Sequence, residues 1–223
     1  MLTKPWRAFC RFLATDRGLS SFFIMIVVVA FVVPPLGSPS LARRLVLDIF
    51  FSLLLIAGIV SMSRRRRIVV PAAVVAVIAI IFRWAALLGS SPLLEIPGYL
   101  SAITIHLLFC IVVLTEVLRK GLVTGHRILG AIGAYLLLGI AWSHAYDLIE
   151  YLSPGSFAGS ITHLGRFTSW TYFSFVTLAS IGYGDIAPLH PVARSLATAE
   201  GITGQFYMAV LIARLVSDLR TQN

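Results

Sequence analysis

Six continuous apolar runs, at residues 19–37, 44–62, 68–89, 97–118, 127–149 and 192–217, divide the chain. Each is close to the ~20 residues that cross a bilayer as a helix, and none alternates with the period of two that marks a strand. A backbone facing lipid must satisfy its own hydrogen bonds, so the pattern predicts six spanning helices. One interval breaks the rhythm. The 42 residues from Glu150 to Pro191 are too few and too polar for another pair of spans. Their middle, Phe167 to Ala179, is an amphiphilic stretch of about 12 residues. As a helix it measures only ~18 Å, about half the depth of a bilayer. Non-helical backbone at membrane depth is tolerated only against protein or water, so whatever follows this half-helix is expected to line an aqueous cavity.

Composition agrees. Of 223 residues, 58% are hydrophobic and 12% charged, and the mean hydropathy is +0.93, which leaves no room for a separate soluble enzyme or sensor domain. The net charge of +9 does not point to nucleic acid, because the basic residues sit between the apolar runs and form no stripe interleaved with aromatics. With the N-terminus inside, 13 of the 18 basic residues fall on the cytoplasmic side, including the block Arg64 to Arg67, against a contrary pair at Arg43 and Arg44. The expectation is a multi-pass protein of the cell membrane with both termini cytoplasmic. The Arg64 to Arg67 block reads as a topology anchor rather than a lipid-headgroup site. The first run follows Lys4, Arg7, Arg11 and Arg17 as a secretory signal does, but it ends in Val33-Pro34-Pro35 without a small-residue cleavage site and reads as a retained helix. Before it, Trp6, Phe9, Phe12 and Leu13 interleave with Arg7 and Arg11, as in an amphipathic helix lying in the membrane interface. Cys10 and Cys110 form no disulfide framework.

The chemistry lies just after the half-helix, in Ser180-Ile181-Gly182-Tyr183-Gly184-Asp185. Two glycines flanking one aromatic permit a backbone whose φ changes sign repeatedly, and such alternation turns successive carbonyls toward one axis. Four copies around that axis would stack rings of oxygen dipoles able to replace the hydration shell of a monovalent cation. The half-helix would aim its negative C-terminal end at the same place.

At these residues the chain resembles the potassium channel family, whose filter reads Thr-Val-Gly-Tyr-Gly-Asp, and in particular its bacterial six-span, voltage-gated-like members. The resemblance covers about 50 residues, Arg166 to Ser217. It implies an all-α integral membrane fold: six transmembrane helices, a re-entrant pore helix and selectivity filter between the fifth and sixth, and fourfold assembly. The implied domains are a cytoplasmic or interfacial segment at 1–18, a four-helix peripheral domain at 19–120, a pore domain at 121–217 and a cytoplasmic tail at 218–223. K+ would be coordinated at Ser180, Ile181, Gly182 and Tyr183, with Gly184 turning the chain at the outer mouth. Thr177 and Asp185 would support the filter from behind. Ser180 and Ile181 stand where the family has Thr and Val, but the first change keeps the hydroxyl and the second needs only a carbonyl. Trp170, Tyr172 and Phe173, with Tyr183, read either as a cuff holding the filter width or as ordinary interfacial packing. Gly204 falls at the inner-helix hinge of the family, though a glycine there also serves close packing. The implied assembly is a homotetramer in contact with lipid, with K+ as permeant ion, no cofactor and no nucleic acid.

Two further readings concern control. Glu200, inside the sixth run, either faces the cavity and concentrates cations or is protonated and hydrogen-bonded behind the pore helix to hydroxyls such as Ser174 or Thr177. The fourth run has no Arg or Lys before Arg119 and Lys120, which argues against voltage sensing by that helix. Arg83 and Asp48 are expected to pair. His144, His163 and His190, with Asp147 and Glu150, are expected on or near the outer loop, where protonation would make opening sensitive to external pH. No nucleotide- or calcium-binding domain is expected after Ser217. The function expected is passive, K+-selective conduction. The alternative is a potassium transporter or its translocating subunit, although such chains usually carry four pore loops with degenerate filters. An electrically silent scaffold leaves the intact filter without purpose. No catalytic constellation supports an enzyme.

Overall fold

The computed structural model describes residues 23–24, 26–32, 45–46, 49, 52, 66–85, 92–118, 125–159 and 166–220. The interfacial N-terminal helix, most of the first two predicted spans, the Arg64-Arg65 half of the basic block, His163 and the Arg83–Asp48 pairing lie outside the described residues or side chains. Five α-helices carry the described fold: α1 (Arg66–Ala85), α2 (Pro92–Val117), α3 (Gly125–Leu152), α4 (Arg166–Leu178) and α5 (Pro191–Arg220). A π-helical turn, Val28–Val32, precedes them. Within α2, α3 and α5 the segments Leu93–Thr115, Arg127–Leu152 and Pro191–Arg214 are long and apolar enough to cross a membrane, and α1 contains a shorter apolar stretch, Ala73–Phe82. The protein is thus a helical membrane protein with at least three spanning helices.

The α2 helix starts earlier than the apolar run suggests, at Pro92, and runs through Pro97. A proline in the first helical position gives up an amide that has no intrahelical partner, so the boundary follows backbone chemistry rather than hydropathy. At the other end of α2 the open carbonyls are capped by arginines from elsewhere: Arg127 Nε donates to Val117 O at 3.0 Å and Arg214 Nη2 to Leu118 O at 3.5 Å. Basic side chains are favoured there because they meet the negative end of the helix dipole.

One packed core joins α1, α2 and α3. Ala76 and Ala79 of α1, Ala102 of α2 and Ala134 of α3 are buried in it, between Ile105, Phe109, Leu137 and Ile140. Small residues at such contacts let helix backbones approach where lipid supplies no hydrophobic drive. A second core lies nearer the loop, built from Tyr146, Phe157, Trp170, Phe173, Ile186 and Ala193. It fixes α4 between α3 and two short strands, β1 (Phe157–Gly159) and β2 (Ile186–Pro188), which pair antiparallel with Phe157 opposite Pro188 and Gly159 opposite Ile186. That ribbon ties the chain leaving Asp185 to the chain leaving α3. Leu189 N and His190 N both donate to Ser156 O, at 2.8 and 3.1 Å, and complete the tie.

Candidate permeation site

The 13-residue α4 is the half-helix expected from the sequence. Its C-terminus is closed by a Schellman motif: Ser180 N donates to Thr177 O at 2.9 Å and Ile181 N to Val176 O at 2.8 Å. Ser180 occupies the left-handed position of that motif at φ 55°, a place usually held by glycine. Gly182 and Gly184 also lie at positive φ, 65° and 78°, while Ile181 and Tyr183 do not. Backbone handedness therefore alternates along the five residues Ser180 to Gly184. Thr177 meets the segment through its carbonyl, which accepts from Ser180 N.

Side chains divide between two faces. Tyr172 stacks on Tyr183 with ring centroids 6.4 Å apart and planes 1° from parallel, and its hydroxyl lies near enough to Asp185 to feel the carboxylate's charge. Trp170 and Phe173 turn the other way. Phe157 lies 4.7 Å from the Trp170 ring and 5.5 Å from that of Phe173, and Tyr146 meets Phe173 edge-on at 4.9 Å. Within one subunit, then, only Tyr172 of the three aromatics reaches Tyr183, and the other two form the wedge behind α4. Ile181 and Tyr183 are 53% and 69% exposed.

The inner helix α5 meets this segment at successive points. Glu200, fully buried, places Oε1 2.6 Å from Ser174 Oγ and Oε2 2.5 Å from Tyr146 Oη, and Ser174 Oγ also lies 2.7 Å from Gly139 O. Glu200 is thus buried against α4 and α3, with Ser174 and Tyr146 as its hydrogen-bond partners; Tyr146 is one that hydropathy gave no reason to single out. One turn on, a Cβ at Gly204 would stand 2.0 Å from Leu178 O, so glycine there is explained by contact between α5 and the end of α4. Beside it Gln205 Nε2 donates to Ser180 Oγ at 2.8 Å.

The outer groups also need correcting. His144 is buried rather than near the surface, its ring 5.4 Å from His106 of α2 and 5.9 Å from Phe167. Burial follows from its place on the α3 face that packs on α2. His190 is exposed, next to the first turn of α5. Asp147 binds Arg166, the first residue of α4, at 2.6 Å, and the Tyr99 hydroxyl of α2 lies within its field. Glu150 Oε1 accepts from Gly155 N at 2.8 Å in the turn after α3. Among the described residues no three His, Cys, Asp or Glu side chains are placed to hold a metal ion.

Part of the chain is similar to known proteins. Residues 131–221 match the family model described as "Ion channel". An inward rectifier potassium channel of Paramagnetospirillum magnetotacticum is 35% identical over 82 residues, 35% of this chain and 24% of its own length. Protein LctB of Geobacillus stearothermophilus is 34% identical over 94 residues, 42% of this chain and 65% of its own. Two pore potassium channel c of Oryza sativa subsp. japonica is 32% identical over 84 residues, 38% of this chain and 17% of its own. The chain thus covers between about a sixth and two thirds of these relatives. The segment that holds α4, the alternating backbone and α5 is thus the part of the chain that matches the ion-channel family model, and it is similar to two proteins named as potassium channels.

Proposed function

We propose that the chain is one subunit of a passive, K+-selective channel in which four copies surround a common axis. Main-chain oxygens of Ser180, Ile181, Gly182 and Tyr183, with the Ser180 hydroxyl, replace the water that K+ leaves behind. The observation that carries this reading is the alternation of backbone handedness at φ 55°, 65° and 78° on every second residue from Ser180 to Gly184. A loop chosen only for a tight turn needs one such position, and three in strict alternation are what a row of carbonyls facing one way requires. The names of two relatives, both potassium channels, support the choice of ion. So do the exposed Ile181 and Tyr183, which further copies would cover. Gly184 turns the chain at the outer mouth, Asp185 and Tyr172 brace it, and both termini lie on the cytoplasmic side. The α2 helix carries no Lys or Arg and is not a voltage sensor of the charged-helix kind.

Reconstitution of the full chain in liposomes under a K+ gradient tests this. K+ flux is expected to exceed Na+ flux by at least about a hundredfold, a difference of ~2.7 kcal/mol in barrier. Equal fluxes would refute selectivity, and flux stoichiometrically coupled to a second ion would mark a transporter. Gly182→Ala places a side chain at φ 65° and is expected to abolish flux while the oligomer still forms. Unchanged flux in that variant would show that ions pass elsewhere.

A further inference from the structure

The contacts of Glu200 can be counted in protons. Three short oxygen–oxygen approaches surround it: Tyr146 Oη to Oε2 at 2.5 Å, Ser174 Oγ to Oε1 at 2.6 Å, and Ser174 Oγ to Gly139 O at 2.7 Å. Each is at hydrogen-bond distance and needs one proton. Tyr146 and Ser174 bring one hydroxyl proton each, and the Gly139 carbonyl brings none. With an ionised Glu200 two protons serve three contacts. Ser174 must then share its proton between carboxylate and carbonyl, abandon the carbonyl, or turn its proton from the carboxylate, and the last in a buried site leaves two acceptors in opposition. A third proton on Oε1 closes the account, for then Glu200 donates to Ser174, Ser174 to Gly139 O, and Tyr146 to Oε2. Both side-chain partners are hydroxyls and neither is a cation, so no positive charge compensates an ionised form here.

We infer that Glu200 is a neutral carboxylic acid that pins α4 to both α3 and α5, and that it acts as a positioning residue for the ion-selective segment. The inference rests on the channel reading for the word selective, though not for the protonation. Its reach follows from the spacing of α5. Glu200 holds Ser174, Gly204 touches Leu178 O, and Gln205 holds Ser180, so one face of the inner helix registers α4 from its middle to the first residue of the filter. Tightening or loosening at Glu200 shifts the base of the carbonyl row relative to α5.

Gln at this position reproduces the proton count, since its amide N–H donates to Ser174 and its carbonyl accepts from Tyr146. Two measurements on the full chain in liposomes follow. In infrared absorption at neutral pH, wild type minus Glu200→Gln is expected to show loss of a protonated carboxylic acid band; loss of a carboxylate band would overturn the inference. In flux, Glu200→Gln is expected to keep the K+ to Na+ preference within about twofold, whereas Ser174→Ala, which severs both its links, lowers it about tenfold at an unchanged yield of oligomer. A Gln variant as impaired as Ser174→Ala, or a Ser174→Ala variant with full preference, would count against it. A wild type that conducts no K+ would defeat the channel reading and leave the infrared result to decide the protonation alone.

Discussion

Replacing Gly204 by alanine separates two roles that the sequence leaves open for it, a bend in α5 and a point of closest contact. The structure supplies the magnitude. An added Cβ would stand 2.0 Å from Leu178 O and 2.9 Å from the carbonyl carbon, and ordinary contact begins at 3.4 Å. The obstructing atoms are backbone, so no rotamer change relieves them, and α5 must withdraw from α4 by about 1.4 Å. A displacement of that size lengthens the neighbouring 2.6 Å Glu200–Ser174 and 2.8 Å Gln205–Ser180 contacts past useful hydrogen-bond range. Overpacking of this severity costs about 3 kcal/mol, from which the better helix propensity of alanine returns about 1. The net loss of ~2 kcal/mol corresponds to a fall of about 4–8 °C in Tm for a chain of this size. Gly201→Ala is the control. Its nearest atom, Thr177 O, lies at 3.8 Å, so that variant is expected to melt at or slightly above wild type. Thermal unfolding of the detergent-solubilised protein, followed by circular dichroism, reads both. If Gly204→Ala melts with wild type, or Gly201→Ala falls as far, the contact argument is wrong, and a flux change at unchanged Tm would instead favour the bend.

Two further perturbations address the ends of α4 and of the carbonyl row. Arg166 places a positive charge where the dipole of α4 disfavours it and is held by Asp147, but its side chain is 46% exposed, so Asp147→Asn is expected to cost at most ~1 kcal/mol. That deficit is expected to shrink in about 1 M salt, and a Tm difference independent of salt would show that charge is not what holds the pair. At the outer mouth Gly159 has φ 110° and a Cβ there would stand 2.0 Å from Asp185 O, so Gly159→Ala is expected to part β1 from β2 and lower the K+ to Na+ preference, measured by liposome flux. Full preference in that variant would mean that the ribbon does not hold the mouth.

What the sequence made legible is what depends on one residue and its immediate neighbours. The half-helix announced itself by length, and the glycines at 182 and 184 by their freedom at positive φ. The closure of α4 did not, because Ser180 occupies a left-handed site that composition assigns to glycine. Contacts between distant segments were legible only in part. Glu200 stood out as an ionisable group in an apolar run and its bond to Ser174 followed from proximity along the fold. Tyr146, 54 residues away, looked like any tyrosine of the third long helix. The aromatic group at 170, 172 and 173 was visible as a cluster, but its division between two faces is set by the 100° turn per residue of α4 and by Phe157, which no local pattern connects to it. His144 was misplaced for the same reason: nearness to a loop in sequence says nothing about which helix face it occupies.

These contacts share a direction. Every described hydrogen bond that α5 makes to the segment from Ser174 to Ser180 comes from one face of the helix, through Glu200 and Gln205, with Gly204 between them. The same helix also exposes Ile202, Phe206, Met208, Val210 and Ile212. An apolar surface of this extent on a spanning helix is stable only against lipid or protein. Ile181 and Tyr183 are exposed as well, and they belong to a non-helical backbone. If the proposed channel holds that backbone at membrane depth, lipid cannot solvate it, and only protein and water together would satisfy it. On the channel reading proposed above, the requirement that led from a half-length helix to an expected water-lined cavity would also call for further copies around the subunit, and it would apply whatever ion the cavity carried.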